Sequence, residues 1–364
     1  MLTLLKNLEC YTPRFIGKND ILVCGTKIER IGPSLNFSDA GLVQTEDCDG
    51  LCAFPAFIDQ HVHIIGGGGE QGFASRLPEI RLDEIVSAGV ATVVGLLGAD
   101  SCTRSLEGLF AKAKSLEAQG LTTYLYTGSY AVPPVTFTGS VDRDLVLIDK
   151  VIGVGEIAIS DHRSSHCGPE LLLRTASQAH LGGLLGGKAG VVHLHMGDGR
   201  QGLKPLLRLL EDSELPKDEF VPTHVNRNER LFRQALEYCR GGGRIDLTSG
   251  ETAGISVPDA LRRILSEGVD PANVTVSSDA NGSNPGGGIN RAATLLEDIV
   301  RSVVDRKLSP EIVFSLVTEN VAKLLKLYPK KGSLQLGSDA DILLMDRKYR
   351  IRKLFGSGKL LKKF

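Results

Sequence analysis

Between residues 54 and 280, short and nearly continuous apolar runs alternate with amphipathic stretches of helical period. The runs are FPAFIDQHVH, ATVVGLLG (91–98), TTYLYTGSY (122–130), VIGVGEIAIS (151–160), AGVVHLHMG (189–197), FVPTHV (220–225), RIDLTSG (244–250) and VTVSSDA (274–280). Between them lie helix candidates such as SLEGLFAKAKSLEAQG, GLKPLLRLLEDSEL, NERLFRQALEYCRGGG and SVPDALRRILSEG. Strands that are apolar on both faces, separated by helices, form a parallel sheet covered on each side. Eight such units over about 250 residues predict a closed (β/α)8 TIM barrel, here spanning 54–327. The two ends differ from this middle. Residues 1–53 and 328–364 hold short β-type runs broken by Gly, Ser and Asp, and predict a small β-sandwich domain built from both termini.

Length fits this division, because 364 residues exceed one core at about 150 residues per domain. Forty-two Lys and Arg against 43 Asp and Glu leave a formal charge of −1, without the basic excess that a nucleic-acid or anionic-membrane partner would require. Seven scattered cysteines contain no CxxC pair, unlike a disulfide framework or a zinc ribbon. The N-terminal MLTLLKNLECYTPRF lacks the pattern of a signal peptide, and no stretch approaches the roughly 18 apolar residues of a membrane span. A soluble, cytoplasmic protein is the expectation.

The reactive residues fall at the C-terminal ends of the apolar runs, the rim on which a parallel barrel builds its active site. His61 and His63, spaced i and i+2, point the same way on a strand and suit Zn²⁺ or a similar borderline cation. A bare HxH pair also occurs in cores and on surfaces; its setting distinguishes this one. His195 in HLHMGDG, His224 in PTHVNRN, Asp279 in SSDANGS and Glu156 in GVGEIAISDHR occupy later strand ends. Histidines and two carboxylates in this number can hold two metals sharing a hydroxide. Asp279 is placed to move a proton from that water to a leaving amine. His193 ranks below His195 as its neighbour, and His162, His166 and His180 read as structural or surface residues.

These segments resemble the amidohydrolase superfamily, and within it the isoaspartyl (β-aspartyl) dipeptidase family. The resemblance is carried by PAFIDQHVH, HVHIIGGGGEQGF, GLLGADS, YTGSYAVPPVTFTGS, AISDHRSS, GGLLGGKAGVVHLHMGDG, PTHVNRN, SSDANGS and the terminal GSLQLGSDADILL. It implies two divalent metal ions, above all zinc, with His61 and His63 on one, His195 and His224 on the other, and Asp279 as shared ligand and general base. It implies Glu70 with Ser283 for the substrate's α-ammonium, and Arg163 and Arg227 for its terminal carboxylate. Tyr130 would assist the developing oxyanion, and a homo-oligomer is implied. The assignments suit a β-aspartyl dipeptide, which carries one ammonium and two carboxylates. Arg binds carboxylates through two donors at once, and backbone N–H groups of the Gly66–Gly69 run, Gly68 among them, suit the second carboxylate.

The chain departs from the family pattern twice. A metal-bridging lysine, carboxylated on its side chain, is the family's residue where Glu156 stands here. Glu156 either bridges two metals itself, eased by Gly155, or stands behind a single metal. Ala99 occupies a place the family tends to fill with a hydroxyl residue. The competing readings are a dihydroorotase-like cyclic amidase or N-acyl-amino-acid deacylase, which do not require Glu70, Arg163 and Arg227, and a catalytically silent metal-binding barrel.

Overall fold

The computed structural model describes residues 2–37, 41–283 and 288–364. The first five strands are β1 (Leu2–Tyr11), β2 (Phe15–Cys24), β3 (Lys27–Gly32), β4 (Val43–Asp47) and β5 (Leu51–Pro55). Eight follow in the middle: β6 (Phe57–Val62), β7 (Val90–Gly95), β8 (Thr122–Thr127), β9 (Val151–Ile159), β10 (Val191–Met196), β11 (Phe220–Thr223), β12 (Ile245–Thr248) and β13 (Val274–Ser277). The last three are β14 (Ile342–Asp346), β15 (Ile351–Gly356) and β16 (Lys359–Lys363).

Strands β6 to β11 pair side by side in chain order, and β12 pairs with β13 in parallel. Val225 N donates to Asp246 O at 3.4 Å on one side, and His63 N donates to Ala280 O at 2.9 Å on the other. These bonds close the ring, and the chain has the expected (β/α)8 barrel. Seven of the eight strands are buried at every residue, with β8 partly open at Thr122 and Tyr124. With both faces covered, no polar alternation is required, which is why these segments read as continuous apolar runs.

Helix α1 (Leu82–Ser87) follows β6, α2 (Leu106–Ala118) follows β7, α3 (Val141–Leu147) follows β8 and α4 (Pro169–Gly186) follows β9. Then α5 (Lys204–Glu211), α6 (Glu229–Arg240) and α7 (Val257–Ser266) follow β10, β11 and β12, and α8 (Ala293–Val304), α9 (Pro310–Ser315) and α10 (Glu319–Leu324) follow β13. Their starts have local causes. Ser105, Asn228 and Ser256 accept the N–H of Gly108, Leu231 and Asp259, satisfying donors that a first turn leaves free. Helix α4 stops at Gly187, whose φ of 62° is reached without strain only by glycine-like backbones.

The terminal strands form one sheet in the order β16-β15-β14-β5-β1-β2-β3. β1 lends Leu2–Lys6 to β4 and Glu9 and Cys10 to β5, so both occupy the same edge in succession. Leu5, Leu8, Ile21, Val23, Ile342 and Leu344 make a core of their own. Phe54 on β5 points instead to the barrel, stacking on Phe314 with centroids 4.0 Å apart. Buried Lys331 spans the two parts, donating to Thr122 Oγ1 of β8 at 2.7 Å and to Asp341 Oδ2 at 2.6 Å.

Candidate metal centre

Six side chains from five strand ends meet at one rim of the barrel. His61 lies on β6, with His63 one residue beyond it; Glu156 lies on β9 and His195 on β10; His224 and Asp279 follow β11 and β13. All six are buried. His61 Nε2 is 3.2 Å and His63 Nε2 3.0 Å from Asp279 Oδ1. The same two nitrogens are 3.4 and 3.3 Å from the Glu156 carboxylate. His195 Nδ1 and His224 Nε2 approach Glu156 Oε2 at 3.1 and 3.5 Å. Three overlapping triads have ligand atoms within 4.8 Å of one another: His61 with His63 and Glu156, His61 with His224 and Asp279, and Glu156 with His195 and His224. His61 Nε2 and Glu156 Oε1 are buried and make no hydrogen bond. Imidazoles and carboxylates with unspent lone pairs fit a divalent cation of zinc's class.

Backbone irregularities aim these groups. Opposite the single residue between Val192 and Leu194 of β10, β9 places two, Gly155 and Glu156, between Val154 and Ile157. This bulge gives the strand one extra residue and re-aims a side chain, here Glu156. Only glycine fits at 155, where φ is 152° and an added Cβ would lie 2.6 Å from His193 O. His224 and Asp279 have φ of 60° and 51°, turning their side chains across the rim as the strands end.

Proton occupancy follows from the crowding of charge. Burial opposes ionisation of Glu156 and Asp279, but the imidazoles beside them hold both carboxyls well below the usual range. Burial also opposes protonation of His61 and His63; the two carboxylates outweigh it, raising His61 well above its ordinary value and His63 to about 8. His224 is pushed down to about 3, chiefly by burial.

The expected substrate groups surround the same opening. Glu70 Oε1 accepts from Ser283 Oγ at 3.1 Å and from Arg163 Nη1 at 3.2 Å. Tyr130 Oη lies 2.8 Å from His195 Nδ1, and burial raises its pKa well above the usual phenol value. Gly68 has a φ of 71°, and an added Cβ there would collide with Ser75 O. Gly68, Glu70, Ala99, Tyr130, Arg227 and Ser283 all line a cavity of about 20 Å³ that also touches His63, His195 and Asp279. Ala99 brings no hydroxyl to it. A larger cavity of about 710 Å³, lined by Phe110, Phe137 and Leu147, lies away from these residues and contains no histidine.

His162 and His166 are exposed and His180 bonds Glu219 at 2.9 Å, all outside the site. His193 Nε2 lies 2.8 Å from His61 Nδ1, on the opposite edge of that ring from the cluster. Three neighbours escaped the sequence reading. Thr248 Oγ1 meets His224 Nδ1 at 2.7 Å, and Asn290 Nδ2 donates to Asp279 Oδ2 at 2.8 Å. Asp161 is buried between Arg163 and His195. Its only sequence signal is its place two residues before Arg163.

Residues 52–361 match the model of the amidohydrolase family. The chain superposes with a TM-score of 0.94 and 44% identity on a β-aspartyl dipeptidase from Fervidobacterium islandicum AW-1 in complex with a β-Asp-Leu dipeptide, covering 100% of this chain and 97% of that one. An L-hydantoinase of Paenarthrobacter aurescens is 24% identical over 396 residues, covering 94% of this chain and 85% of its own. A dihydropyrimidinase from Brevibacillus agri NCHU1002 shares the fold, with a TM-score of 0.70 at 16% identity over 99% of this chain and 95% of its own.

Proposed function

Because this chain belongs to the amidohydrolase family and is a peptidase-type hydrolase, we propose that it hydrolyses the isopeptide bond of β-aspartyl dipeptides at two divalent cations, zinc being the metal. One observation carries the reading. The histidine and carboxylate cluster opens onto a cavity that an acid, Glu70, shares with the guanidinium of Arg227, and Arg163 bonds that same acid. A zwitterionic amino acid with a second carboxylate matches this charge pattern; a neutral ring or an acyl chain does not. The β-Asp-Leu bound in the Fervidobacterium enzyme agrees with it.

His61 and His63 would hold one cation and His195 and His224 the other, with Glu156 between them in place of a carboxylated lysine and Asp279 beside them. When bound, such cations polarise a carbonyl and bring the pKa of water to near 7. Asp279 takes the proton of the attacking water and delivers it to the leaving amine. Asn290 fixes its Oδ2, so Oδ1 faces His61 and His63. Tyr130 keeps its proton at neutral pH and donates it in a hydrogen bond as the carbonyl oxygen gains charge. Glu70 and Ser283 receive the α-ammonium, Arg163 and Arg227 the terminal carboxylate, and the Gly68 N–H the α-carboxylate.

Seven free cysteines accord with a cytoplasmic location, and among the described residues no helix is long and apolar enough to cross a membrane. Leu181, Leu184 and Leu185, exposed on α4, support assembly into a homo-oligomer. The deciding assay gives zinc-loaded protein β-Asp-Leu beside dihydroorotate and N-acetyl amino acids. Turnover confined to β-Asp-Leu is expected, and its absence refutes the proposal.

A further inference from the structure

Asp161 sits in the turn after β9 and is buried. Its position is fixed from β10: Gly197 N donates to Ile159 O at 3.2 Å and Gly199 N to Ser160 O at 2.7 Å. Gly197 passes so close that a Cβ on it would lie 2.5 Å from Asp161 Cβ. The carboxylate has no freedom to wander, and three functional side chains converge on it. Arg163 donates from Nε to Oδ1 and from Nη2 to Oδ2, both at 2.9 Å. His195 Nε2 lies 3.1 Å from Oδ2, and Arg227 Nη1 lies 4.0 Å from the same oxygen.

We propose that Asp161 is a positioning residue that ties the metal ligand His195 to the two guanidiniums that bind substrate, so that one carboxylate sets both cation affinity and dipeptide affinity. The substrate half of this inference rests on the β-aspartyl dipeptidase reading; the metal half rests on geometry alone. His195 turns Nδ1 toward Glu156 and Nε2 toward Asp161. Its Nδ1 lone pair therefore faces the ligand cluster, which places the ring proton on Nε2, and Asp161 accepts it. A carboxylate behind a ligating imidazole fixes its tautomer and orientation and raises its basicity.

The same proton acts on the arginine. Arg163 Nη2 lies 3.0 Å from His195 Nε2. Two N–H donors cannot bond each other, so with the proton on Nε2 both Nε2 and Nη2 donate to Asp161 Oδ2, while the bond from Nε to Asp161 Oδ1 keeps the guanidinium at the rim. The fork is thereby held at its base, with its outer edge presented to a carboxylate.

The test compares the parent with Asp161→Asn and, as a control for burying a neutral side chain, Asp20→Asn in the terminal sheet, where Asp20 accepts from Asn7 N and Leu35 N. Zinc affinity is read without substrate by chelator competition, and kcat and KM for β-Asp-Leu at saturating zinc. Asp161→Asn should weaken zinc binding about 10–100-fold, the usual effect of losing a partner behind a metal ligand. It should also raise KM by a larger factor than it lowers kcat. Asp20→Asn should change neither. If Asp161→Asn does not fold, Asp161→Ser is read in the same way. Zinc affinity within about threefold of the parent's in a folded variant overturns the inference, as does an equal loss in Asp20→Asn. A parent inactive on β-Asp-Leu overturns the substrate half, while the chelator measurement still decides the half concerning His195.

Discussion

At Glu156 a single carboxylate lies within 3.5 Å of four imidazoles, those of His61, His63, His195 and His224. If it bridges two cations, metal analysis of the active protein gives two equivalents per chain, and Glu156→Gln loses metal and roughly 100-fold or more in activity. One equivalent in fully active protein excludes the bridge. Because no carbamate has to form, adding or removing bicarbonate should leave kcat unchanged. The imidazole protons make a second prediction. His63 without metal titrates at about 8, above the 6.5 of free histidine, so below that pH a cation must displace its proton. Zinc affinity should therefore climb from pH 6 to about 8, with proton release at pH 7 detectable by calorimetry in buffers of different ionisation enthalpy. Affinity that is flat or falls over this range contradicts the assignment. The residues behind both predictions were legible because strand periodicity and strand order place them on one rim. Asp161, Thr248 and Asn290 were not, because their roles depend on which loops approach one another, and no local spacing records that.

Among the elements, β9 carries the bulge that aims Glu156 at the histidine cluster. Gly155→Ala would force a side chain against His193 O in a backbone conformation that favours glycine. The expected outcome is a folded barrel with fewer metal equivalents and lower activity, checked by metal analysis beside circular dichroism. Helix starts provide a milder test, since Ser256→Ala removes the acceptor for Asp259 N at the head of α7 and should cost about 1 kcal/mol, seen as a drop of a few degrees or less in Tm. The sequence pattern predicted the barrel strands well because burial on both faces leaves an unbroken apolar run. It merged β5 and β6 within FPAFIDQHVH, because the chain changes sheets at Ala56 with Pro55 as the sole breaker in an otherwise apolar run. The expected junction between 53 and 54 accordingly falls inside β5, which ends at Pro55.

In the whole molecule, Lys331 is the buried charge that joins the barrel to the terminal sheet. Asp341 at 2.6 Å and Asp339 at 2.9 Å balance it. Lys331→Met leaves the buried Asp341 carboxylate without its cation, while Asp339 keeps Lys27 at 2.6 Å, and should cost about 3–5 kcal/mol, measured by urea unfolding, with activity at low temperature close to the parent's. The texture of both termini indicated that they belong together, but not which strands would pair, since register between distant segments depends on packing. That register has a consequence for synthesis. Ala53 pairs with Leu344 and Pro55 with Ile342, so β5, paired with β1 on one side, waits for its second partner until nearly all of the polypeptide has left the ribosome. A stop codon just before residue 342 would spare every side chain of the histidine and carboxylate cluster and still strand β5 with an open edge, turning a chain with its rim residues intact into a product prone to aggregation and clearance.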